Sequence, residues 1–127
     1  MRLSSAVACA GFAAGLVFAV LPAHASSKPN VLFLAVSSHG STSLSAIAIQ
    51  CPDRADQHPY GEITCAIVDA VDGDFDRLPG NPRPCTNEYD PVTATMSGLW
   101  RNRPIGWQKT YPNACMLDAR TGPIFRF

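Results

Sequence analysis

The chain has 127 residues, and its ten Lys and Arg residues are balanced by ten Asp and Glu residues. This balance excludes the basic surface on which a nucleic-acid-binding protein depends, and no charged tail is present to hold a membrane surface. The length is that of one modest domain.

The first segment has the pattern of a secretory signal peptide. Arg2 supplies a positive charge, an apolar run covers residues 6–20, and the small-residue signal Ala23-His24-Ala25 follows. The run is shorter than the ~20 residues that a membrane-spanning helix needs. We therefore expect cleavage after Ala25, which divides the chain into a signal peptide, residues 1–25, and a secreted domain, residues 26–127.

Four of the five cysteines remain after this cleavage, because Cys9 lies in the signal peptide. An even number of cysteines in a short exported chain indicates a disulfide framework. Four cysteines allow three pairings, and spacing does not choose among them. The simplest choice pairs neighbours, and each bond would then stabilise the domain by roughly 3–3.5 kcal/mol on the chain-entropy estimate. The four are Cys51, Cys65, Cys85 and Cys115.

The first half of the mature chain predicts two strands and a helix. The apolar run 31–36 is rich in β-formers and predicts a buried strand, and residues 44–51 predict a second strand covered on both faces. Apolar residues then recur at spacings of three and four, which predicts a helix over 59–71 that ends before Gly73.

The second half begins with an irregular stretch, residues 72–88, which contains three prolines and two glycines. A loop of this length in a small domain is usually functional or disordered, and Cys85 at its far end favours function. Alternation then predicts a strand over 92–100, a turn at 101–103 and a return strand over 105–111.

A short helical turn over 113–118 and a last strand over 124–127 complete the prediction. The fold class is therefore α+β: an antiparallel sheet of about five strands with two short helices and two disulfides.

Candidate catalytic residues are few, and no catalytic role is predicted for any of them. His39 lies in a Ser-rich turn without a G-x-S-x-G motif, so it is interpreted as a solvated loop residue. His58 and Glu62 would share one helix face, as in a small ribonuclease, but a phosphate backbone would find no basic surface here. We expect no enzymatic activity and no cofactor.

Three acidic residues leave calcium binding as an open question. Asp72, Asp74 and Asp76 copy positions 1, 3 and 5 of a calcium-binding loop. Position 6, normally Gly, is Arg77, and position 12, normally Glu, is Arg83. We interpret the three carboxylates as a solvated helix exit and predict no metal site.

The segment 82–91 combines three prolines with Cys85. Proline fixes φ and pushes the preceding residue into extended geometry. An extended segment anchored by a disulfide is what a protease cleft binds as a substrate mimic, and its rigidity lowers the ordering cost of binding. A proline-rich connector of purely structural role fits the same residues, and spacing alone does not decide between the two.

Several elements in this order resemble the Streptomyces subtilisin inhibitor family, over about residues 32–127. They are the strand ending in Cys51, His58-Pro59 before Cys65, Gly73-Asp74 with Leu78, the C-x-x-x-Y-D-P motif from Cys85 to Pro91, Gly98-Leu99-Trp100, Thr110, Asn113-Ala114-Cys115 and Ile124-Phe125-Arg126-Phe127.

The resemblance implies a set of roles for residues of this chain. It pairs Cys51 with Cys65 and Cys85 with Cys115, and it implies an antiparallel sheet with two helices. It also implies a secreted subtilisin-like serine protease as partner, and a homodimer formed through the sheet face. The reactive bond would lie between Asn87 and Glu88, with Asn113 supporting the loop from behind. The residues that would contact the protease are Pro84, Cys85, Thr86, Asn87, Glu88 and Tyr89.

One position departs from the family pattern. Family members usually carry Met, Lys or Arg where this chain has Asn87. An amide in the specificity pocket needs hydrogen-bond partners, so we expect inhibition weaker than that of a Met or Leu variant by roughly 1–3 kcal/mol. An alternative function on the same scaffold is a secreted binding protein without inhibitory activity, such as a carrier or chaperone for a co-secreted enzyme.

Overall fold

The protein is represented by a computed structural model, which describes residues 11, 15–22, 29–53 and 57–127. The predicted cleavage site after Ala25 lies outside the described residues. Within these ranges no helix is both long and apolar enough to span a bilayer.

Four antiparallel strands form one sheet in the order β2-β1-β3-β4. Strands β3 and β4 are joined by a two-residue turn in which Arg101 and Asn102 have φ values of 48° and 63°. Two successive residues with positive φ match the right-handed twist of a hairpin, which explains the tight connection. The strands are β1, Asn30–Ser38; β2, Leu44–Cys51; β3, Val92–Trp100; and β4, Arg103–Tyr111.

Two α-helices cover one face of the sheet, α1 (Gly61–Ala70) and α2 (Ala114–Thr121), and each is accompanied by a short 3₁₀ turn. The 3₁₀ turns cover Phe75–Arg77 and Gly122–Phe125. The α+β class and the two helices were predicted correctly, although α1 begins later than expected and α2 extends further.

The hydrophobic core lies between this face of the sheet and the helices. Its fully buried side chains come from strands β1 to β3, from α1 and from the second 3₁₀ turn. They include Leu32, Ile49, Trp100, Val68 and Ile124. The opposite face is open, with Phe33 56% exposed and Leu44 68% exposed. The expectation that residues 44–51 are covered on both faces is therefore wrong, because helices pack against one face only.

The predicted fifth strand over 124–127 is also wrong. Gly122 ends α2 with a φ of 61°, and the second 3₁₀ turn begins there with Pro123 as its next residue. Ile124 is fully buried, and the Phe125 ring stacks on Trp107 at 6.0 Å between centroids. A short apolar run can be a strand or a buried turn, and periodicity does not distinguish them. Here the run fills the core instead of extending the sheet.

His58 has a structural role at the start of α1. Its side chain is only 3% exposed, its Nδ1 accepts a hydrogen bond from the Tyr60 amide at 2.9 Å, and its Nε2 lies 2.7 Å from the Ile124 carbonyl oxygen. Since Nδ1 accepts, Nε2 carries the proton and donates to that carbonyl. Both ring nitrogens are used, so His58 and Glu62 do not form an acid–base pair.

Candidate functional site

The candidate loop, residues 79–91, connects the first 3₁₀ turn to β3 without regular secondary structure. Thr86, Asn87, Glu88 and Tyr89 are all exposed, and Tyr89 has 82% of its surface accessible. Pro84 is exposed as well, while Cys85 is partly buried. The residues predicted to meet a protease thus lie together on one largely exposed segment.

Asn113 supports this loop from behind. Its backbone is extended, with φ −163° and ψ 170°, and its Oδ1 accepts a hydrogen bond from the Met116 amide at 2.9 Å, which makes it the N-cap of α2. Its Nδ2 donates to the carbonyl oxygens of Thr86, at 3.2 Å, and Glu88, at 2.8 Å. One buried amide therefore holds the backbone on both sides of Asn87.

The disulfides connect each helix to a different part of the chain. Cys85 is bonded to Cys115 in the first turn of α2, with 5.8 Å between Cα atoms. Cys51, the last residue of β2, is bonded to Cys65 in α1, with 5.5 Å between Cα atoms. These are the two pairs that the family resemblance implies. The first bond fixes the candidate loop two residues before Asn87.

The N-terminal arm of the loop lies against the C-terminal part of α2. The Asn81 amide donates to the Ala119 carbonyl oxygen at 2.9 Å, and Gly80 has a φ of 65°. A Cβ atom at position 80 would lie 2.4 Å from that same carbonyl oxygen. Both the backbone angle and the close approach require glycine here.

The C-terminal arm is held by backbone hydrogen bonds. The Asp90 amide donates to the Pro112 carbonyl oxygen at 2.9 Å, and the His39 amide donates to the Pro91 carbonyl oxygen at 3.0 Å. The N-terminal arm is therefore attached to α2. The C-terminal arm is attached to Pro112, just before the N-cap of α2, and to His39, just after β1.

A carboxylate shared by two arginines lies beside the disulfide of the loop. Asp118 Oδ2 is 2.6 Å from Arg83 Nη2 and 2.8 Å from Arg126 Nη2, and Asp118 Oδ1 accepts from Arg126 Nε. The hydrogen bond from Arg126 is the main reason that the pKa of Asp118 lies below its ordinary value. The Asp118 side chain is only 13% exposed. Sequence analysis missed this cluster, because Arg83 and Asp118 lie far apart in the sequence and Arg126 reaches Asp118 after the turn that replaces the predicted last strand.

The other candidate sites do not assemble. His39 Nε2 is hydrogen-bonded to Thr93 Oγ1 at 2.7 Å, which in turn lies 2.7 Å from Thr110 Oγ1, while Ser41 and Ser43 bond to each other. His39 is exposed in the turn after β1, as sequence analysis expected, and it also has a hydroxyl partner on β3.

The three acidic residues considered for calcium are used separately. Asp72 accepts from Arg101 at 2.7 Å and from Arg103 at 2.8 Å, and the Arg103 hydrogen bond is the main cause that lowers its pKa. Asp76 accepts from the Trp107 indole at 3.0 Å, and Asp74 caps the first 3₁₀ turn. In the part of the chain that the structure describes, no three metal-ligating side chains form a group.

Comparison with known proteins gives a consistent result. A family model described as subtilisin inhibitor-like matches residues 28–113. Subtilisin inhibitor-like protein 5 of Streptomyces fradiae is 36% identical over 105 residues, which cover 78% of this chain and 98% of that relative. A probable subtilase-type protease inhibitor of Streptomyces avermitilis is 31% identical over 132 residues, which cover 97% of this chain and 91% of that relative.

A solved structure is also similar to this chain. It is Streptomyces caespitosus sermetstatin in complex with Bacillus licheniformis subtilisin, with a TM-score of 0.64 and 27% sequence identity. The match covers 79% of this chain and all of the sermetstatin chain.

Proposed function

Since this chain belongs to the subtilisin inhibitor-like family, we propose that it is a secreted inhibitor of subtilisin-type serine proteases that binds through the Asn87–Glu88 bond. The relative that was solved in complex with subtilisin supports the class of target. The observation that carries the choice of bond is the Asn113 amide, which holds the carbonyl groups of Thr86 and Glu88 on either side of Asn87.

The loop would enter the protease cleft as a substrate does. Asn87 would occupy the primary specificity pocket, and the nucleophile and oxyanion hole of the protease would act on the Asn87 carbonyl. The chain itself contributes no catalytic group, since the chemistry belongs to the enzyme. Because the loop is held in shape before binding, little conformational entropy is lost on association.

The same contacts explain why such a loop would be cut slowly. After cleavage, the Asn87 end would stay attached through the Cys85–Cys115 bond, and the Glu88 end through Asn113 and the Asp90 amide. Both new ends would remain close together, so religation would compete with release.

Asn87 limits the affinity for enzymes whose specificity pocket prefers large apolar or cationic side chains. Burying its amide without full hydrogen bonding costs free energy, and we expect inhibition of subtilisin weaker than that of a Met variant by roughly 1–3 kcal/mol. The preferred target would be a protease whose pocket offers hydrogen-bond partners to a small polar side chain.

The test is a titration of subtilisin with the oxidised 26–127 protein, followed by residual peptidase activity and by mass spectrometry of the inhibitor. We expect stoichiometric loss of activity with one slow cut after Asn87, and tighter inhibition by Asn87→Met. Rapid digestion, or cleavage at another bond, would contradict the proposal. Binding that is indifferent to Asn87→Met and leaves the enzyme active would favour the carrier function instead.

We also propose that the open face of the sheet forms a homodimer. Its outward positions on β1 to β4 carry no Asp, Glu, Lys or Arg, and they include the exposed Phe33 and Leu44. An uncharged flat surface of this kind is unusual for a monomer and suits self-association about a two-fold axis. Sedimentation should show a dimer that Phe33→Glu converts to a monomer, and a monomeric wild type would refute it.

A further inference from the structure

We infer that Arg83 and Asp118 are positioning residues that hold the N-terminal arm of the candidate loop on α2 and so set how readily the loop is cut. The effect on inhibition depends on the proposed function, whereas the effect on the free loop does not. Asp118 would serve two purposes, because it fastens the loop through Arg83 and the C-terminal segment through Arg126.

The ion pair lies next to the disulfide on the same side of α2. Asp118 follows Cys115 by three residues, which places the two side chains about one helical turn apart on one face. Arg83 precedes Cys85 by two residues on the loop. The disulfide alone fixes one point of the loop, about which the backbone can still rotate. The ion pair and the Asn81–Ala119 hydrogen bond supply further points and prevent that rotation.

The burial of Asp118 makes this pair stronger than an ordinary surface pair. Its side chain is 13% exposed while that of Arg83 is 45% exposed, so water and salt reach the carboxylate only partly. The arginine can be removed without leaving a buried charge unpaired, since Arg126 still contacts both carboxylate oxygens. Arg83→Gln should therefore free the loop arm while leaving the fold intact.

The opposite end of the sheet offers a matched control. Asp72 is likewise shared by two arginines, Arg101 and Arg103, near the β3–β4 turn. Arg103→Gln removes one arginine and leaves Asp72 paired with Arg101, just as Arg83→Gln leaves Asp118 paired with Arg126. Both variants change the net charge by the same amount, and only one of them touches the loop.

The first experiment measures amide hydrogen exchange in the free protein at Asn81 and Asp90, whose amides donate backbone hydrogen bonds from the two arms of the loop. We expect exchange about fivefold faster in Arg83→Gln than in wild type, which corresponds to the loss of one partly shielded ion pair. Arg103→Gln should leave these amides unchanged, and Arg83→Lys should recover part of the protection because it keeps the charge. Equal exchange in Arg83→Gln and wild type would overturn the inference.

The second experiment measures the rate of the cut after Asn87 in the presence of subtilisin. We expect this rate to rise in Arg83→Gln by about the same factor. The melting temperatures of Arg83→Gln and of the control Arg103→Gln should be equal. Weaker association with unchanged exchange would overturn the inference, since Arg83 would then act by direct contact with the enzyme. A changed exchange rate in a protein that inhibits nothing would keep the positioning role and reject the proposed function.

Discussion

The two ends of the sheet use the same stabilising devices for different purposes. At the end that carries the β3–β4 turn, the Cys51–Cys65 bond joins a strand to α1, and Asp72 is shared by two arginines. At the loop end, the Cys85–Cys115 bond joins the candidate loop to α2, and Asp118 is shared by two arginines. The two ends differ in the other interactions that hold the segment to which the disulfide and the ion pairs are attached.

At the turn end, the fastened elements are already held by other interactions. Residue Cys51 lies in a strand paired with β1, and α1 packs Val68 into the core. At the loop end, residues 79–91 have no strand partner, so their shape depends on the disulfide, the ion pair, Asn113 and the backbone hydrogen bonds of the two loop arms. The same kinds of interaction therefore join elements that are already paired or packed at one end, and hold a loop without strand pairing at the other.

Removing each disulfide in turn is the largest test of this comparison. We expect Cys85→Ala/Cys115→Ala and Cys51→Ala/Cys65→Ala each to lower the free energy of unfolding by about 3–4 kcal/mol. Only the first pair of substitutions should turn the loop into a rapidly cut substrate, because only that bond anchors a segment without strand pairing. Denaturant unfolding and mass spectrometry of subtilisin digests, below the midpoint of both variants, measure the two effects. Similar cleavage rates in the two variants would remove the distinction between the ends.

Asn113 tests the loop end with a smaller change. In Asn113→Asp, a carboxylate oxygen can still accept from the Met116 amide and cap α2, but nothing remains to donate to the carbonyl groups of Thr86 and Glu88. Two carbonyl groups losing a buried donor should destabilise the loop by about 1–3 kcal/mol, while the helix keeps its cap.

The readouts separate these effects. Helix content and melting temperature should change less in Asn113→Asp than in Asn113→Ala, which also loses the cap. The cut after Asn87 should be faster in both variants. If Asn113→Asp were cut as slowly as wild type, the amide would be a helix cap without a role in the loop.

Sequence patterns predicted the regular parts of the molecule well. Alternation predicted the hairpin of β3 and β4, and the turn between them contains Asn102 with a positive φ, which Asn tolerates. Helix α1 was recognised because its apolar residues recur at helical spacing. These features depend on neighbours in the chain, which is why local patterns reveal them.

The features that sequence analysis missed depend on distant contacts. Residues 124–127 have the composition of a strand, but Gly122 and Pro123 begin a 3₁₀ turn instead. This turn places Ile124 and Phe125 in the core. The need for glycine at position 80 arises from the Ala119 carbonyl oxygen. Arg83 and Asp118 form an ion pair although β3 and β4 lie between them in the sequence. No local period encodes contacts of this kind.

The smallest effect on stability is expected from Asp118 and Asp72, each of which is shared by two arginines. Arginine partners lower the pKa of both Asp118 and Asp72, so each carboxylate stabilises the fold fully above its unfolded pKa of about 3.9, and this stability is lost as the pH falls through the lower folded value. From about pH 5 to 8, Asp118→Asn should lower the free energy of unfolding by a constant ~1 kcal/mol, and the difference should vanish in stronger acid.

Salt concentration then sharpens the contrast, because the Asp118 side chain is 13% exposed and that of Asp72 is 45% exposed. In about 1 M salt, where the screening length is about 3 Å, the effect of Asp72→Asn should disappear while that of Asp118→Asn persists. Denaturant unfolding of both variants between pH 2 and 8, at low and high salt, measures this. If the effect of Asp118→Asn were independent of pH, the packing of this side chain, and not its charge, would stabilise the fold. The ion pairs would then not distinguish the loop end of the sheet from the turn end.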